Sequence, residues 1–170
     1  MTITRMSRTK TQKEPSTQMP DETINKMLEG VEKRIEIWHG INRLVMAKNQ
    51  PEIYSEQKAQ LTQKENIIPL IELAGEEEEE AKVREEAKKI LEDIRKAGYE
   101  QSKFYIPKDA MEIITSPEYS ISIRVEAIRW LRGVGNSEIK FELECISKDI
   151  REDEEIRYEA MKALNWYNLQ

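Results

Sequence analysis

Between residues 21 and 49 apolar side chains recur at steps of three and four: Ile24, Leu28, Val31, Ile35, Trp38, Ile41 and Val45. That spacing predicts a long helix with one apolar stripe. Pro20 and Asp21 supply a stop and an N-cap for it, and Gly30 and Gly40 are places where it can bend or split into a pair. Gln50-Pro51 then opens a weaker amphipathic segment that reaches about Leu61. Asn66 is placed to cap a short apolar helix over residues 67–74, with Pro69 in its first turn and Gly75 closing it.

Beyond residue 80 the pattern repeats. From Val83 the chain reads VREEAKKIL, from Ile123 it reads IRVEAIRWL, and from Ile156 it reads IRYEAMKAL. All three obey one rule: Val or Ile, Arg, any residue, Glu, Ala, any residue, Lys or Arg, any residue, Leu. On a helix, positions one, five, eight and nine share a face, so Val83, Ala87, Ile90 and Leu91 should turn inward together, as should their counterparts. The small Ala87, Ala127 and Ala160 in mid-stripe let neighbouring helices approach closely. Nine or ten residues before each motif, Leu73, Ile114 or Ile146 marks the end of a second, shorter apolar helix. A worn copy, IYSEQKAQL, begins at Ile53. Repeats of this length predict stacked supersecondary units.

At these nonapeptides the chain resembles the HEAT-repeat superfamily, in particular the HEAT-like repeats of phycobilisome-lyase type, over roughly residues 50–170. The resemblance implies an all-α fold, a HEAT-like α-solenoid of stacked antiparallel helix pairs, here with seven to nine helices. It also implies that Arg84, Arg124 and Arg157, at the second position, bridge adjacent repeats. The chain departs from the family pattern at the inserted GYEQSKFYIPKD between helices, and residues 21–49 do not align with it. The expected organisation is therefore a basic flexible N-terminal tail (1–20), a long helix or helix pair (21–49) and a HEAT-like repeat domain (50–170).

Composition supports a thin core. Charged residues make up 35% of the chain and hydrophobic residues only 38%, which suits an elongated core better than a wide one. The single Cys145 can form no internal disulfide, so a reducing cytoplasm is expected. No run of 18 apolar residues predicts a membrane span. The net charge of -6 argues against a nucleic-acid coat protein, although a local basic contact remains open.

Catalytic chemistry finds few supports. His39 is the only histidine, so multi-histidine metal sites cannot be built, and the His-Glu pairs of HEAT-like iron hydroxylases are missing. Cys145 reads as a small buried hydrophobe. Gly133-Val134-Gly135 reads as a helix end and turn. The acidic runs at residues 76–80 and 152–155 read as solvated helix starts, favoured by the helix dipole. A resemblance to HEAT-like alkylpurine DNA glycosylases would assign Trp130 and Trp166 as groove aromatics, but Trp130 occupies a stripe position and the acidic balance opposes a DNA groove. The expected protein has no catalysis and no cofactor.

Two places could meet a partner. Arg5, Arg8, Lys10 and Lys13 lie in the N-terminal tail, which reads either as a solvated extension or as a clasp for phosphates or an acidic protein surface. Trp166, Tyr167 and Leu169 follow the third motif and read either as a cap folded on the preceding helices or as a contact surface. The expected function is a protein-binding adaptor, accessory or regulatory subunit of a larger complex. The alternative is a nucleic-acid or ribonucleoprotein binder working through the tail.

Overall fold

A computed structural model describes residues 21–100, 108–132 and 137–167; these form eight α-helices, and no strand occurs among them. In order they are α1 (Asp21–Met46), α2 (Pro51–Leu61), α3 (Ile67–Gly75), α4 (Ala81–Glu100), α5 (Lys108–Thr115), α6 (Ile121–Leu131), α7 (Ser137–Lys148) and α8 (Glu154–Tyr167). Single 3-10 turns at Ala47–Asn49 and Lys64–Asn66 flank α2. Sequence neighbours pack together: α1 on α2, α3 on α4, α5 on α6 and α7 on α8. Further contacts join α1 to α3 and α4, and α6 to α3, α4 and α8.

The three nonapeptides lie on α4, α6 and α8, and their stripes are buried. Val83, Ala87, Ile90 and Leu91 face inward, as do Ile123, Ala127, Trp130 and Leu131, and then Ile156, Ala160 and Ala163, with Leu164 packed at the edge. Burying such aliphatic side chains contributes about 1.5–3 kcal/mol each. One continuous cluster runs from Ile37 on α1 to Ala163 on α8.

Local chemistry sets the helix ends. Ser120 accepts from Ile123 N–H at 3.3 Å and so caps α6. Asp153 accepts from Glu155 N–H at 2.8 Å at the start of α8, and Pro51 opens α2 where its missing N–H costs nothing. Asn66 departs from expectation, because its side chain makes no capping bond to α3. Its amide instead donates to the carbonyls of Gln60 (3.0 Å) and Leu61 (3.2 Å), tying down the open end of α2.

Two further expectations change. α1 is one continuous helix of 26 residues through both glycines, the long-helix alternative and not the pair. Its apolar residues do not form one buried stripe: Ile37, Ile41 and Leu44 enter the core, while Ile24, Leu28, Val31 and Ile35 stay about half exposed. Cys145 is exposed rather than buried, because α7 turns Ile139, Leu143 and Ile146 inward and leaves the thiol on its outer side.

Two glycines serve close approach. A Cβ on Gly75 would fall 2.5 Å from the Cα of Ile123, so the end of α3 touches the backbone of α6. A Cβ on Gly40 would meet a Leu61 methyl at 2.9 Å. Gly30 has nothing within 4 Å.

Candidate partner-binding surfaces

The fourth position of the motif is a glutamate, and all three copies are buried: Glu86 is 2% exposed, Glu126 9% and Glu159 3%. Carboxylates that leave water need partners. Each receives one from the basic residue three positions later: Lys89 to Glu86 (3.2 Å), Arg129 to Glu126 (2.6 Å) and Lys162 to Glu159 (3.0 Å). Each also receives a cation from an earlier element. Lys48 reaches Glu86 at 3.6 Å, Lys88 on α4 reaches Glu126 at 3.6 Å, and Arg129 on α6 reaches Glu159 at 3.4 Å. The result is a ladder of alternating charge across α4, α6 and α8. Partial burial disfavours the charge on Arg129, but Glu126 and then Glu159 outweigh it and hold the guanidinium above the ordinary arginine range. At the α2 end the Tyr54 hydroxyl donates to Glu86 at 3.1 Å; burial, and then the Glu86 charge, raise its pKa.

Beside the ladder lies a groove of about 410 Å³ lined by Lys88, Arg95, Trp130 and Arg132 together with the rungs Glu126, Arg129, Glu159 and Lys162. Arg95 is held by a bidentate bond to Glu92 at 2.7 and 2.9 Å. Arg132 has no ion-pair partner among the described residues, and the buried indole N–H of Trp130 has no acceptor.

The second arginine of the motif works on the other shoulder of the stripe. Arg124 donates to the Ile114 carbonyl at 2.9 Å and to Glu152, in the turn before α8, at 3.0 Å. It thus joins α5, α6 and the α7–α8 turn. Its bond holds the Glu152 carboxyl below the usual range, against the opposing effect of partial burial. Arg84 and Arg157 make no comparable bridge, and the Nε of Arg157 is buried without a partner.

The acidic run 76–80 is more than a solvated helix start. It lies in the turn before α4, where Glu76 binds Arg34 at 3.2 Å, Glu79 accepts from the Trp38 indole at 2.9 Å, and Glu77 accepts from Ser122. The turn therefore fastens α1 on one side and α6 on the other.

The other surface is α1 itself. Every described residue from Glu22 through Glu32 is exposed. Ile24, Leu28, Val31 and Ile35 follow d and a positions of a heptad and point roughly 140° around the helix from Ile37, Ile41 and Leu44, at 3.6 residues per turn. The stripe ends in a largely apolar hollow of about 320 Å³ between Val31, Ile35 and Trp38 on α1 and Leu73 on α3. On the inner side, a cleft of about 770 Å³ separates the N-terminal half of α1 from Ile68, Pro69 and Glu72 on α3. Burial raises the pKa of Glu72 there, Arg34 opposes the shift and Glu76 adds to it.

The residues singled out from the sequence fare unequally. Arg5, Arg8, Lys10, Lys13 and Leu169 lie outside the described residues, as does the turn at Gly133-Val134-Gly135. Trp166 and Tyr167 are partly buried at the end of α8. Their rings meet edge to face at 6.0 Å. The Tyr167 hydroxyl donates to the Leu131 carbonyl at 3.1 Å, so it folds back onto α6. Trp130 is core, as its stripe position required. His39 is exposed beside Trp38. No cluster of His, Cys, Asp or Glu suited to a metal ion occurs among the described residues, and no helix there is long and apolar enough to cross a membrane. The chain matches no protein-family model, no curated protein and no solved structure.

Proposed function

We propose that this protein is an adaptor or accessory subunit, a HEAT-like helical scaffold without catalysis of its own that holds another protein. The observation that carries the proposal is the apolar stripe on α1. An isolated helical extension gains little stability from water-exposed Ile24, Leu28, Val31 and Ile35, whereas an amphipathic partner helix laid along them would bury all four. The hollow between Ile35, Trp38 and Leu73 would take one large apolar side chain as an anchor. The ladder and the Glu76–Glu79 ties make the body that presents α1 rigid.

A photo-reactive residue at Val31 in the native host tests this, with one at the exposed Lys148 as control. The expected result is a stoichiometric protein adduct from Val31 that Leu28→Glu abolishes and that Lys148 does not give. Adducts to nucleic acid alone, to a second copy of this chain alone, or to nothing would overturn the reading. The nucleic-acid alternative rests on Arg5, Arg8, Lys10 and Lys13, and it requires binding that falls steeply with salt.

A further inference from the structure

The groove across α4, α6 and α8 is a second surface that shares no lining residue with the hollow at the end of the α1 stripe, and its chemistry differs. Its walls carry Lys88, Arg95, Arg129, Arg132 and Lys162. Against these five cations stand only Glu92, Glu126 and Glu159. The groove therefore holds two surplus positive charges in a chain whose net charge is -6. The surplus is not spread evenly, since every groove cation except Arg132 has a carboxylate partner. Trp130 lines the same groove; the residue is 5% exposed, and its indole N–H lies buried beneath the surface with no acceptor among the described residues. An unpaired guanidinium in a groove with surplus positive charge calls for an anionic acceptor from outside.

We infer that this groove is a binding site for an acidic peptide segment, with one carboxylate seated at Arg132, beside Trp130, and others answering the ladder cations. The assignment deepens the adaptor reading by naming the chemistry of a segment the scaffold holds. A polyphosphate strand fits less well. Glu126 and Glu159 sit between the cations as rungs, so evenly spaced phosphates would meet carboxylates, whereas carboxylates on a peptide can be spaced to skip them.

The test uses a short fluorescein-labelled peptide of alternating glutamate and alanine, titrated into the full chain by anisotropy. A single-stranded oligodeoxythymidylate of equal charge is the comparison. Saturable peptide binding is expected, weakened about tenfold by Arg132→Glu and largely retained by Arg132→Lys. Arg132 has no ion pair to lose, so the thermal midpoint of Arg132→Glu should match the parent, which separates lost binding from lost fold. The indole N–H resonance of Trp130, identified by its disappearance in Trp130→Phe, should move on peptide binding. Val31→Glu on α1 should leave peptide affinity unchanged, so loss of the Val31 adduct with peptide binding intact would sink the α1 reading and leave the groove standing. Absence of saturable binding, tighter binding of the oligonucleotide, an unmoved Trp130 resonance, or peptide binding that depends on Val31 and not Arg132 would overturn the groove assignment.

Discussion

Single residues decide how closely these helices meet. Gly75 has no space for a methyl group because the backbone of Ile123 already occupies it. Gly75→Ala must push α3 off α6, at a cost of about 3 kcal/mol, and should lower the thermal midpoint by about 10 °C in a chain of this size. Gly30→Ala meets nothing and should raise stability by about 0.5–1 kcal/mol through helix propensity alone. Calorimetry on the two variants checks both signs. Two glutamates set opposing pH responses. Glu152 titrates below its ordinary value in the fold, so its bond to Arg124 stabilises fully above the unfolded pKa and is lost as pH falls through the folded one. Glu72 titrates above its ordinary value, so its ionisation weakens the fold at neutral pH and protonation relieves it. Glu152→Gln should therefore lower the midpoint at pH 7 and flatten the acid limb of the stability curve. Glu72→Gln should raise the midpoint at pH 7, by an amount that shrinks as pH falls. Urea melts across pH 3–7 read both.

At the scale of elements, α1 carries two jobs on two faces. Its C-terminal half inserts Ile37, Ile41 and Leu44 into the core, with Gly40 admitting α2. Its N-terminal half presents apolar residues to water on another side. A three- and four-residue spacing is satisfied by either face, which is why residues 24 to 45 read as one stripe until the neighbours were known. Val31→Glu distinguishes the faces. It should change the stability by no more than about 0.5 kcal/mol, as surface substitutions do, whereas Leu44→Ala should cost about 2–5 kcal/mol. A Val31→Glu variant that unfolds would show that the stripe packs inward. The repeat helices are the legible counterpart. Their stripe was visible because Ala and Leu recur at fixed places; the flanking Arg was equally visible with a bridging role implied by the resemblance, and the flanking Glu was visible without an assigned role. Positions two and four flank the stripe on opposite shoulders, so a charged letter kept at each of them marks a side chain at the edge of the core that must find a partner.

At the scale of the molecule, one buried cluster links α1 to α8, and charged ties run along it from Lys48 to Lys162. Trp38, Trp130 and Trp166 report on α1, α6 and α8. Variants keeping one tryptophan each should give coincident urea transitions, because no helix pair owns a core that could melt alone. Separated midpoints, with Trp166 losing its signal first, would indicate that the ladder couples the pairs too weakly to act as one unit.

The sequence by itself determined that the chain is helical, where three equivalent inward stripes lie, and that Trp130 belongs to the core, since each follows from side-chain spacing within a single helix. Only the tertiary structure decided that Glu86, Glu126 and Glu159 are buried rungs, that Gly75 is a contact point, that Cys145 faces out and that half of α1 stands uncovered. Those depend on which helix lies opposite which. The side-chain ties that fix these neighbours join residues 28 to 45 positions apart, from Arg124–Glu152 to Ser122–Glu77, a distance over which local periodicity carries no information on facing or register.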